Sequence, residues 1–451
     1  MIRCAAAFAM MSLFAGCQSG EGARRAQASV AVRAAAAPAP PSPEPLGAPR
    51  GWHAWPMAPA GCRLFVPDDL AALVPPPDTP CAGLASGCRV FTAPWAARSG
   101  WGFGGLLSAV RRAGATWIAM SRAPDAGWWE SLVLRDGRVV AGFRTHIPLS
   151  GCTLGGPWLE RGDGPGAPRA ALVVVRAAAQ NAPTALLGPA DSLVSGVDRV
   201  EEFGPPAAAL VARDVALVTP TQLILFEHGG RFTLRTLSAA LDDVAAAARE
   251  TTFRPRPDDR SFAYLQQPSA AGNTVLYAAW DGVRGELWRV LDGRSERVLG
   301  EEGVSYDALA GDGAHVAWTR ARARRGVNRF DEVVLWAAAA DRTGTLQGPH
   351  RVARLPAGEL PLVSVGDGWV AARLGASDVR LYRLSDGRER RLPVLAGIGW
   401  DGGPSGLVVA GDEVIVKGYL VGQGASAGND VRVIARFQAR TLRSAGPDPA
   451  P

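Results

Sequence analysis

The sequence predicts an all-β fold. Gly and Pro are abundant, at 54 and 35 of 451 residues, without a collagen-like period. These residues form the tight turns that short strands require. From about residue 100 onwards, short runs of Val, Leu, Ala and aromatic residues alternate with turn residues, which is typical of strands. With 47% hydrophobic and 20% charged residues, the chain has enough apolar surface to form a core.

A polar turn followed by an apolar run recurs along this region. The separations between successive aspartates are 45, 53, 55 and 45 residues, and two runs without aspartate, around Gly114 and Arg169, extend the series to seven units. The repeated run is expected to be the innermost strand of each unit. The aspartates that mark the turns are Asp214, Asp259, Asp312, Asp367 and Asp412.

Asp-Gly dipeptides mark a second repeated feature. They occur at Asp136-Gly137, Asp292-Gly293 and Asp386-Gly387, each between two strand-like runs. Tight hairpin turns need positive φ angles, which Gly and Asp adopt at least cost. The sequence therefore predicts a hairpin at each of these dipeptides.

A period in the forties with four short strands per unit is typical of propeller blades, which cannot bury their faces without neighbours. We expect a single β-propeller of about seven four-stranded blades, within a range of six to eight, over residues 101–442. Residues 51–100 are expected to pack on the propeller or to supply a closing strand. Residues 443–451 are expected to form a disordered tail.

The segment DGAHVAW, from Asp312 to Trp318, together with the Asp-Gly hairpins, resembles the bacterial WD40-like repeat of TolB-like envelope proteins. The resemblance covers roughly residues 250 to 420 well and residues 100 to 250 loosely. It implies a propeller fold and leaves the activity open, because one fold hosts many functions.

The first fifty residues predict export and lipid anchoring. Residues 1–17 have a basic start, an apolar run and the small-residue sequence Phe14-Ala15-Gly16 before Cys17, which is typical of a signal peptide. This end resembles a bacterial lipobox, in which the cysteine is acylated, and Gln18 implies outer-membrane rather than inner-membrane retention. Ordinary secretory cleavage near Ala15 is the alternative. Residues 18–50 are rich in Ala and Pro and predict a disordered linker.

Four cysteines follow the anchor, and an even number in an oxidising compartment predicts two disulfides. Three pairings are possible. A short loop separates two of the cysteines, which makes one local bridge easy and leaves the other two for a long one. No CxxC pair is present, which argues against zinc. The cysteines are Cys62, Cys81, Cys88 and Cys152.

The charge does not predict nucleic-acid binding. The net charge is +6 and the pI about 9.3, but Lys417 is the only lysine and the basic residues are otherwise arginines. No two of the five histidines have metal-ligand spacing. We expect no metal and no cofactor.

The sequence offers little evidence for catalysis. No sialidase box occurs, and adjacent carboxylates such as Glu301-Glu302 point to opposite faces of a strand. An arginine-rich stretch is predicted to form an enlarged hairpin loop, either simply solvated or able to bind an anionic group. Its arginines are Arg320, Arg322, Arg324, Arg325 and Arg329.

The sequence thus favours a non-enzymatic envelope lipoprotein, held at the outer membrane, whose propeller binds a protein or glycan partner. The alternative is a propeller-fold hydrolase or lyase that acts on polysaccharide. Trp128-Trp129 would be the place for a sugar-binding platform, because adjacent strand residues face opposite sides.

Overall fold

The computed structural model describes most strands and their tight turns. The predicted signal peptide, nearly all of the linker and the predicted tail lie outside the described residues. The described ranges are 47–73, 78–81, 88–93, 105–122, 127–146, 152–161, 166–176, 184–197, 199–202, 213–218, 222–227, 231–236, 250–253, 264–265, 269–272, 274–280, 283–291, 294–323, 330–357, 361–374, 378–393, 398–400, 406–420 and 432–442.

The fold is all-β, as predicted, and sixteen strands lie in the described residues up to Phe253. They are β1 (Trp52–Ala54), β2 (Leu64–Pro67), β3 (Asp78–Pro80), β4 (Cys88–Ala93), β5 (Gly105–Arg112), β6 (Ala115–Arg122), β7 (Trp128–Arg135), β8 (Arg138–His146), β9 (Cys152–Leu159), β10 (Arg169–Arg176), β11 (Thr184–Pro189), β12 (Arg199–Glu202), β13 (Arg213–Val218), β14 (Gln222–Glu227), β15 (Arg231–Thr236) and β16 (Glu250–Phe253).

The second half continues the same pattern with strands that are on average longer. They are β17 (Tyr264–Leu265), β18 (Ser269–Ala271), β19 (Thr274–Trp280), β20 (Arg284–Leu291), β21 (Arg294–Glu302), β22 (Val304–Gly313), β23 (His315–Ala323), β24 (Phe330–Ala340), β25 (Leu346–Leu355), β26 (Leu362–Gly366), β27 (Trp369–Leu374), β28 (Asp378–Arg383), β29 (Glu389–Arg391), β30 (Ile398–Trp400), β31 (Leu407–Ala410), β32 (Glu413–Leu420) and β33 (Arg432–Gln438).

Among the residues that the structure describes, helix is limited to single turns. The described residues include 3-10 turns at Leu70–Ala72 and Ala439–Thr441. Within the same part of the chain, no helix is long and apolar enough to span a membrane.

Antiparallel meanders of four strands build the sheets and give a propeller-like arrangement. The units β9 to β12, β13 to β16 and β26 to β29 are separate four-stranded sheets. The units that end in β21 and β25 belong to one nine-stranded sheet, because β18 pairs with β22 in parallel, with Ala270 opposite Asp312. A Cβ on Gly311 would lie 1.9 Å from the carbonyl oxygen of Ala270, so this close approach requires glycine.

The N-terminal strands join two different sheets. Strands β1 and β2 extend the first unit, β5 to β8, through pairing of β2 with β8. Strands β3 and β4 extend the last sheet, where β4 pairs antiparallel with β33 from Arg432 opposite Ala93 to Phe437 opposite Cys88. Residues from the two ends of the chain therefore share one sheet.

The Asp-Gly dipeptides lie between the third and fourth strands of their units. Arg135 pairs with Arg138 across Asp136-Gly137, whose φ angles are 48° and 83°, as a two-residue hairpin requires. The Asp386-Gly387 turn connects β28 to β29. Asp292-Gly293 lies outside the described residues, but its flanking residues, Leu291 and Arg294, pair.

The structure corrects the position of the repeated apolar run. Asp312, Asp367 and Asp412 lie at turns between the first and second strands of their units, so the run that follows is the second strand and not the innermost one. The second strand has neighbours on both sides and is buried on both faces; β6, for example, is buried over its first seven residues. Asp214 lies within β13 rather than in a turn, and Asp259 is outside the described residues.

Apolar clusters connect neighbouring sheets. We call the sheet that contains β5 to β8 the first sheet, the β9–β12 sheet the second and the sheet that contains β31 to β33 the last. Trp117 of the first sheet packs with Leu172 of the second in one cluster. Ile118 of the first sheet packs with Ile415 of the last in another. Other clusters join the last sheet to the β26–β29 sheet, and that sheet to the β22–β25 unit. Strand β13 lies beside β9 and β10. The sheets joined by these clusters thus bury apolar side chains against their neighbours.

Candidate functional site

The first strands of several units converge on an inner cavity of about 90 Å³. It is lined by residues of β5, β26 and β31, by the turn after β22, and by Arg161, which follows β9. We call this space the inner cavity. Five different sheets contribute to its wall, so its side chains come together only in the folded chain.

Arg161 reaches into the inner cavity from the second sheet. Its Nη1 donates a hydrogen bond to the carbonyl oxygen of Gly311, at 3.2 Å, although the two residues are 150 positions apart. Burial lowers the pKa of the Arg161 guanidinium, and the negative charge of Asp312 acts in the opposite direction. A half-buried cation is therefore held in the wall and interacts with the charge of Asp312.

Asp312 organises the turn between β22 and β23. Its Oδ1 accepts hydrogen bonds from the backbone N–H groups of Ala314, at 2.9 Å, and His315, at 2.7 Å. Its Oδ2 lies 3.5 Å from Nδ1 of His315. The carboxylate therefore fixes the backbone of its own turn and holds His315 at the edge of the cavity.

The side chains of Arg111 and Asp367 both approach Gly411. A Cβ on Gly411 would lie 2.1 Å from Cδ of Arg111 and 3.0 Å from Oδ2 of Asp367, and Gly411 has a φ of +63°. Only glycine combines this φ with enough space for both side chains. The first sheet, the β26–β27 turn and the β31–β32 turn thereby approach one another at the cavity.

A larger space of about 780 Å³ adjoins the inner cavity and shares His315 and Asp367 with it. We call it the adjoining groove. Its wall includes Trp369, His350 and Arg390. The guanidinium of Arg390 lies 5.3 Å from the centre of the Trp369 ring, so an aromatic ring and a cation occur together in the groove.

Other arginines of the groove are paired with carboxylates. Arg440 contacts Asp412 at 2.9 Å. Arg383 contacts Asp386, and its hydrogen bond lowers the pKa of the Asp386 carboxyl to about 2. These charges are balanced locally, in contrast to Arg161, whose guanidinium contacts no carboxylate directly among the described residues.

The structure pairs the four cysteines in two disulfides. Cys62 bonds to Cys152, with a Cα–Cα distance of 5.4 Å, and Cys81 bonds to Cys88, at 5.5 Å. The short pair is the one that the sequence made locally easy. The predicted lipid anchor, Cys17, lies outside the described residues.

The arginine-rich stretch is placed differently from the prediction. Arg320 and Arg322 lie in strand β23 rather than in a loop, because the ladder with β24 extends from His315 to Ala323. Arg320 forms an ion pair with Glu301, which raises the pKa of the Arg320 guanidinium through hydrogen bonding. The remaining members of the stretch, Arg324, Arg325 and Arg329, lie outside the described residues.

The tryptophan pair does not form an exposed platform. Trp129 is buried, and Trp128 is half-buried with edge-on contacts to Phe65 and His146. In the part of the chain that the structure describes, no group of three or more His, Cys, Asp or Glu side chains could hold a metal ion.

The sequence analysis singled out two aspartates that line the inner cavity but did not single out its arginines. Asp312 and Asp367 belong to the repeat. Arg111 and Arg161 belong to no motif in the sequence, and residues from position 109 to position 411 build the cavity. A single sequence contains no signal that would bring such distant residues together.

No family model and no curated protein matches this chain. Several solved structures are similar in fold. Puromycin hydrolase is 17% identical over 79% of this chain and 55% of its own, with a TM-score of 0.40. Oligogalacturonate lyase in complex with manganese is 12% identical over 80% of this chain and 96% of its own, with a TM-score of 0.47.

The β-propeller domain of the Trilobed protease from Pyrococcus furiosus is also similar. It is 10% identical over 77% of this chain and 100% of its own, with a TM-score of 0.45. The chain spans about half the length of the puromycin hydrolase and of a prolyl endopeptidase, at 55% and 51%. At these identities the likeness concerns the fold alone.

Proposed function

We propose that this chain is a non-enzymatic binding protein of the bacterial envelope, exported and anchored by a lipid on Cys17. Its folded part is a closed propeller of seven four-stranded blades, and its ligand binds at the inner cavity and adjoining groove. The partner is a protein or a glycan. The observation that carries the proposal is the convergence of five sheets on one polar cavity.

The sheet order supports seven blades. Six of them are the units beginning with β5, β9, β13, the β17–β18 pair, β22 and β26. The seventh consists of β31, β32, β33 and β4, so that the N-terminal strand β4 completes a blade begun by the C-terminal strands. A strand shared between the two ends of the chain closes the ring and leaves no open interface between the first and last blades.

Export and anchoring are supported by the first seventeen residues and by the two disulfides. Disulfides persist in oxidising compartments and are rare in the cytosol. A clickable palmitate analogue fed to the cells should label the wild type and not Cys17→Ser. Equal labelling of the two proteins would contradict the anchor.

Photo-crosslinking in living cells tests the binding role. A photoreactive amino acid at His350 replaces an exposed side chain of the adjoining groove. The same amino acid at Val283, which is 64% exposed and lies at the start of the β20 hairpin, is the control. We expect a discrete adduct at His350 and none at Val283. Absence of an adduct at His350, or the same adducts at both positions, would contradict a binding site in the groove.

A hydrolase or lyase that acts on polysaccharide is the second candidate. The observation that favours it is the contact of Asp312 with His315 at the cavity, since a carboxylate that orients an imidazole is a common arrangement for a general base. If the chain is such an enzyme and His315 is its general base, His315→Gln abolishes turnover of a polysaccharide that the wild type degrades. A binding protein leaves the same polysaccharide intact in both forms.

A further inference from the structure

The charges of the inner cavity are the starting point. Arg161 donates one hydrogen bond to a backbone carbonyl, whereas a guanidinium has five N–H donors. Among the described residues, neither Arg161 nor Arg111 contacts a carboxylate directly. Arg161 is half-buried, and a charge that is partly removed from water is costly unless it is paired, so its guanidinium favours an anion from outside the chain.

Asp312, whose charge acts on Arg161, already has other partners. Asp312 accepts two backbone hydrogen bonds from its own turn and acts on Arg161 through its charge without direct contact. It therefore reduces the net charge of the wall and leaves the donors of Arg161 available to a ligand.

The size and charge of the cavity favour a carboxylate over a phosphate. A volume of about 90 Å³ exceeds the 10–15 Å³ or so that a single water needs on the same measure, so one small ionised group fits. The lining contains Arg111 and Arg161 but also Asp312 and Asp367. Two carboxylates in the wall repel a doubly charged phosphate more than a singly charged carboxylate.

The remainder of the ligand has a place next to the cavity. His315 and Asp367 belong to both spaces, so a group bound by Arg161 leads into the adjoining groove. There the Trp369 ring, covered by Arg390, and the exposed His350 offer apolar and polar contacts.

From this geometry we propose that the inner cavity binds the carboxylate group of a ligand whose remaining part lies in the adjoining groove. Arg161 is the principal donor to the carboxylate and Arg111 the second. This proposal rests on the proposed binding function and names the chemistry of its ligand. The carboxylate belongs either to the C-terminus of a peptide or to a sugar acid.

Titration calorimetry of the purified full-length protein distinguishes the two sources. One arm compares triglycine with its C-terminal amide, and the other compares glucuronate with glucose. Inorganic phosphate is the third probe. We expect millimolar binding of the carboxylate form in at least one arm, binding of its neutral counterpart weakened about tenfold or more, and phosphate binding weaker than carboxylate binding.

Three variants identify the donors. Arg161→Gln should weaken carboxylate binding about tenfold or more, the loss expected for a charge-assisted hydrogen bond. Arg161→Lys should retain part of the affinity. Arg111→Ala should weaken carboxylate binding severalfold. Because Arg111 is exposed, this variant should fold and therefore tests the proposal even if Arg161→Gln does not fold. Arg351→Ala, on the exposed part of β25, is the control that leaves binding unchanged.

Three results would overturn the proposal: no carboxylate binding in either arm, phosphate binding tighter than carboxylate, or unchanged affinity in both Arg161→Gln and Arg111→Ala. None of these results affects the crosslink expected at His350. A crosslinked partner without carboxylate binding therefore refutes this inference and leaves the binding function standing.

Discussion

Glu130 is a buried carboxylate held between two arginines of the first sheet. It is 0% exposed and lies on β7, opposite Arg122 of β6 on one side and Arg144 of β8 on the other. Nε of Arg122 donates to it, as does Nε of Arg144 at 3.4 Å. The guanidinium of Arg144 also covers the Trp52 ring, at 4.4 Å from its centre. One carboxylate thus joins three strands and contacts the N-terminal segment through Arg144.

Replacing Glu130 with Gln should lower the free energy of unfolding by about 3 kcal/mol, because both arginines lose the buried carboxylate that they share. Chemical denaturation measures the change. Glu302→Gln is the matched control: Glu302 is exposed and pairs with Arg284 at 3.1 Å, and an exposed pair contributes less than about 1 kcal/mol. Equal losses in the two variants would contradict the role assigned to Glu130.

The Asp386 carboxyl predicts a pH dependence. Arg383 lowers its pKa in the folded chain to about 2, below the value of about 3.9 for an unfolded aspartate. Because the folded pKa is depressed, the stabilisation is fully present above about pH 4 and is lost as the pH falls through about 2. The melting temperature of Asp386→Asn should therefore lie below that of the wild type at pH 6, and the difference should shrink below about pH 4 and vanish below about pH 2. A difference that is constant with pH would be inconsistent with this pair.

The roles of some residues could be predicted from their sequence neighbours, and the roles of others could not. The turn at Asp136-Gly137 could be predicted from the dipeptide alone, because positive φ angles at both positions restrict the choice of residues. The role of Arg161 depends on Gly311, 150 positions away. No local rule connects these two residues.

At the scale of elements, the N-terminal strands are fastened to the sheets by the two disulfides. Cys62 lies between β1 and β2 and bonds to the first residue of β9, which links the edge of the first sheet to the second. Cys81 and Cys88 close the connection between β3 and β4. Nε1 of Trp55 also donates to the carbonyl oxygen of Val194, at 3.1 Å, so two contacts hold this segment on the second sheet.

The two disulfides should contribute unequally to stability. The sequence separations are 90 and 7 residues, and the chain-entropy relation then gives about 4–5 and about 2 kcal/mol. Denaturation of the Cys62→Ser/Cys152→Ser and Cys81→Ser/Cys88→Ser double variants should show the larger loss for the first. The reverse order would mean that entropy of the unfolded chain does not control the effect.

The sequence predicted where strands occur better than it predicted which strands pair with each other. Alternation of apolar runs with turns located the strands, and a run such as Ala115–Arg122 reads as apolar because it is buried on both faces. The sequence did not predict that this run is the second strand of its unit. A strand that is buried on both faces has a similar composition in either position, so its residues do not show which adjacent strand lies nearer the centre. The pairing of β4 with β33 depends on the closure of the whole chain.

At the scale of the whole molecule, the first sheet, which contains β5 to β8, contacts the last sheet, and the last sheet contacts the β26–β29 sheet. Ala109 of the first sheet packs with Val408 of the last, and Val409 packs with Ala371 of the preceding sheet. The Oγ of Ser364 accepts a hydrogen bond from the N–H of Val409, at 3.0 Å, across the same junction. Such contacts make the stability of each sheet depend on its neighbours.

The closed ring is the central claim, and truncation tests it most directly. Deletion of residues 401–451 removes β31 to β33 and leaves β4 without its partner, whereas deletion of 443–451 alone retains every described strand. Thermal melting of the disulfide-intact proteins, followed by circular dichroism, compares both with the full chain. We expect the short deletion to melt like the parent and the long one to melt more than about 10 °C lower or without cooperativity. A long deletion that keeps its β-signal and melts cooperatively within a few degrees of the parent would contradict the closed propeller, because loss of one end is mild only in an open array.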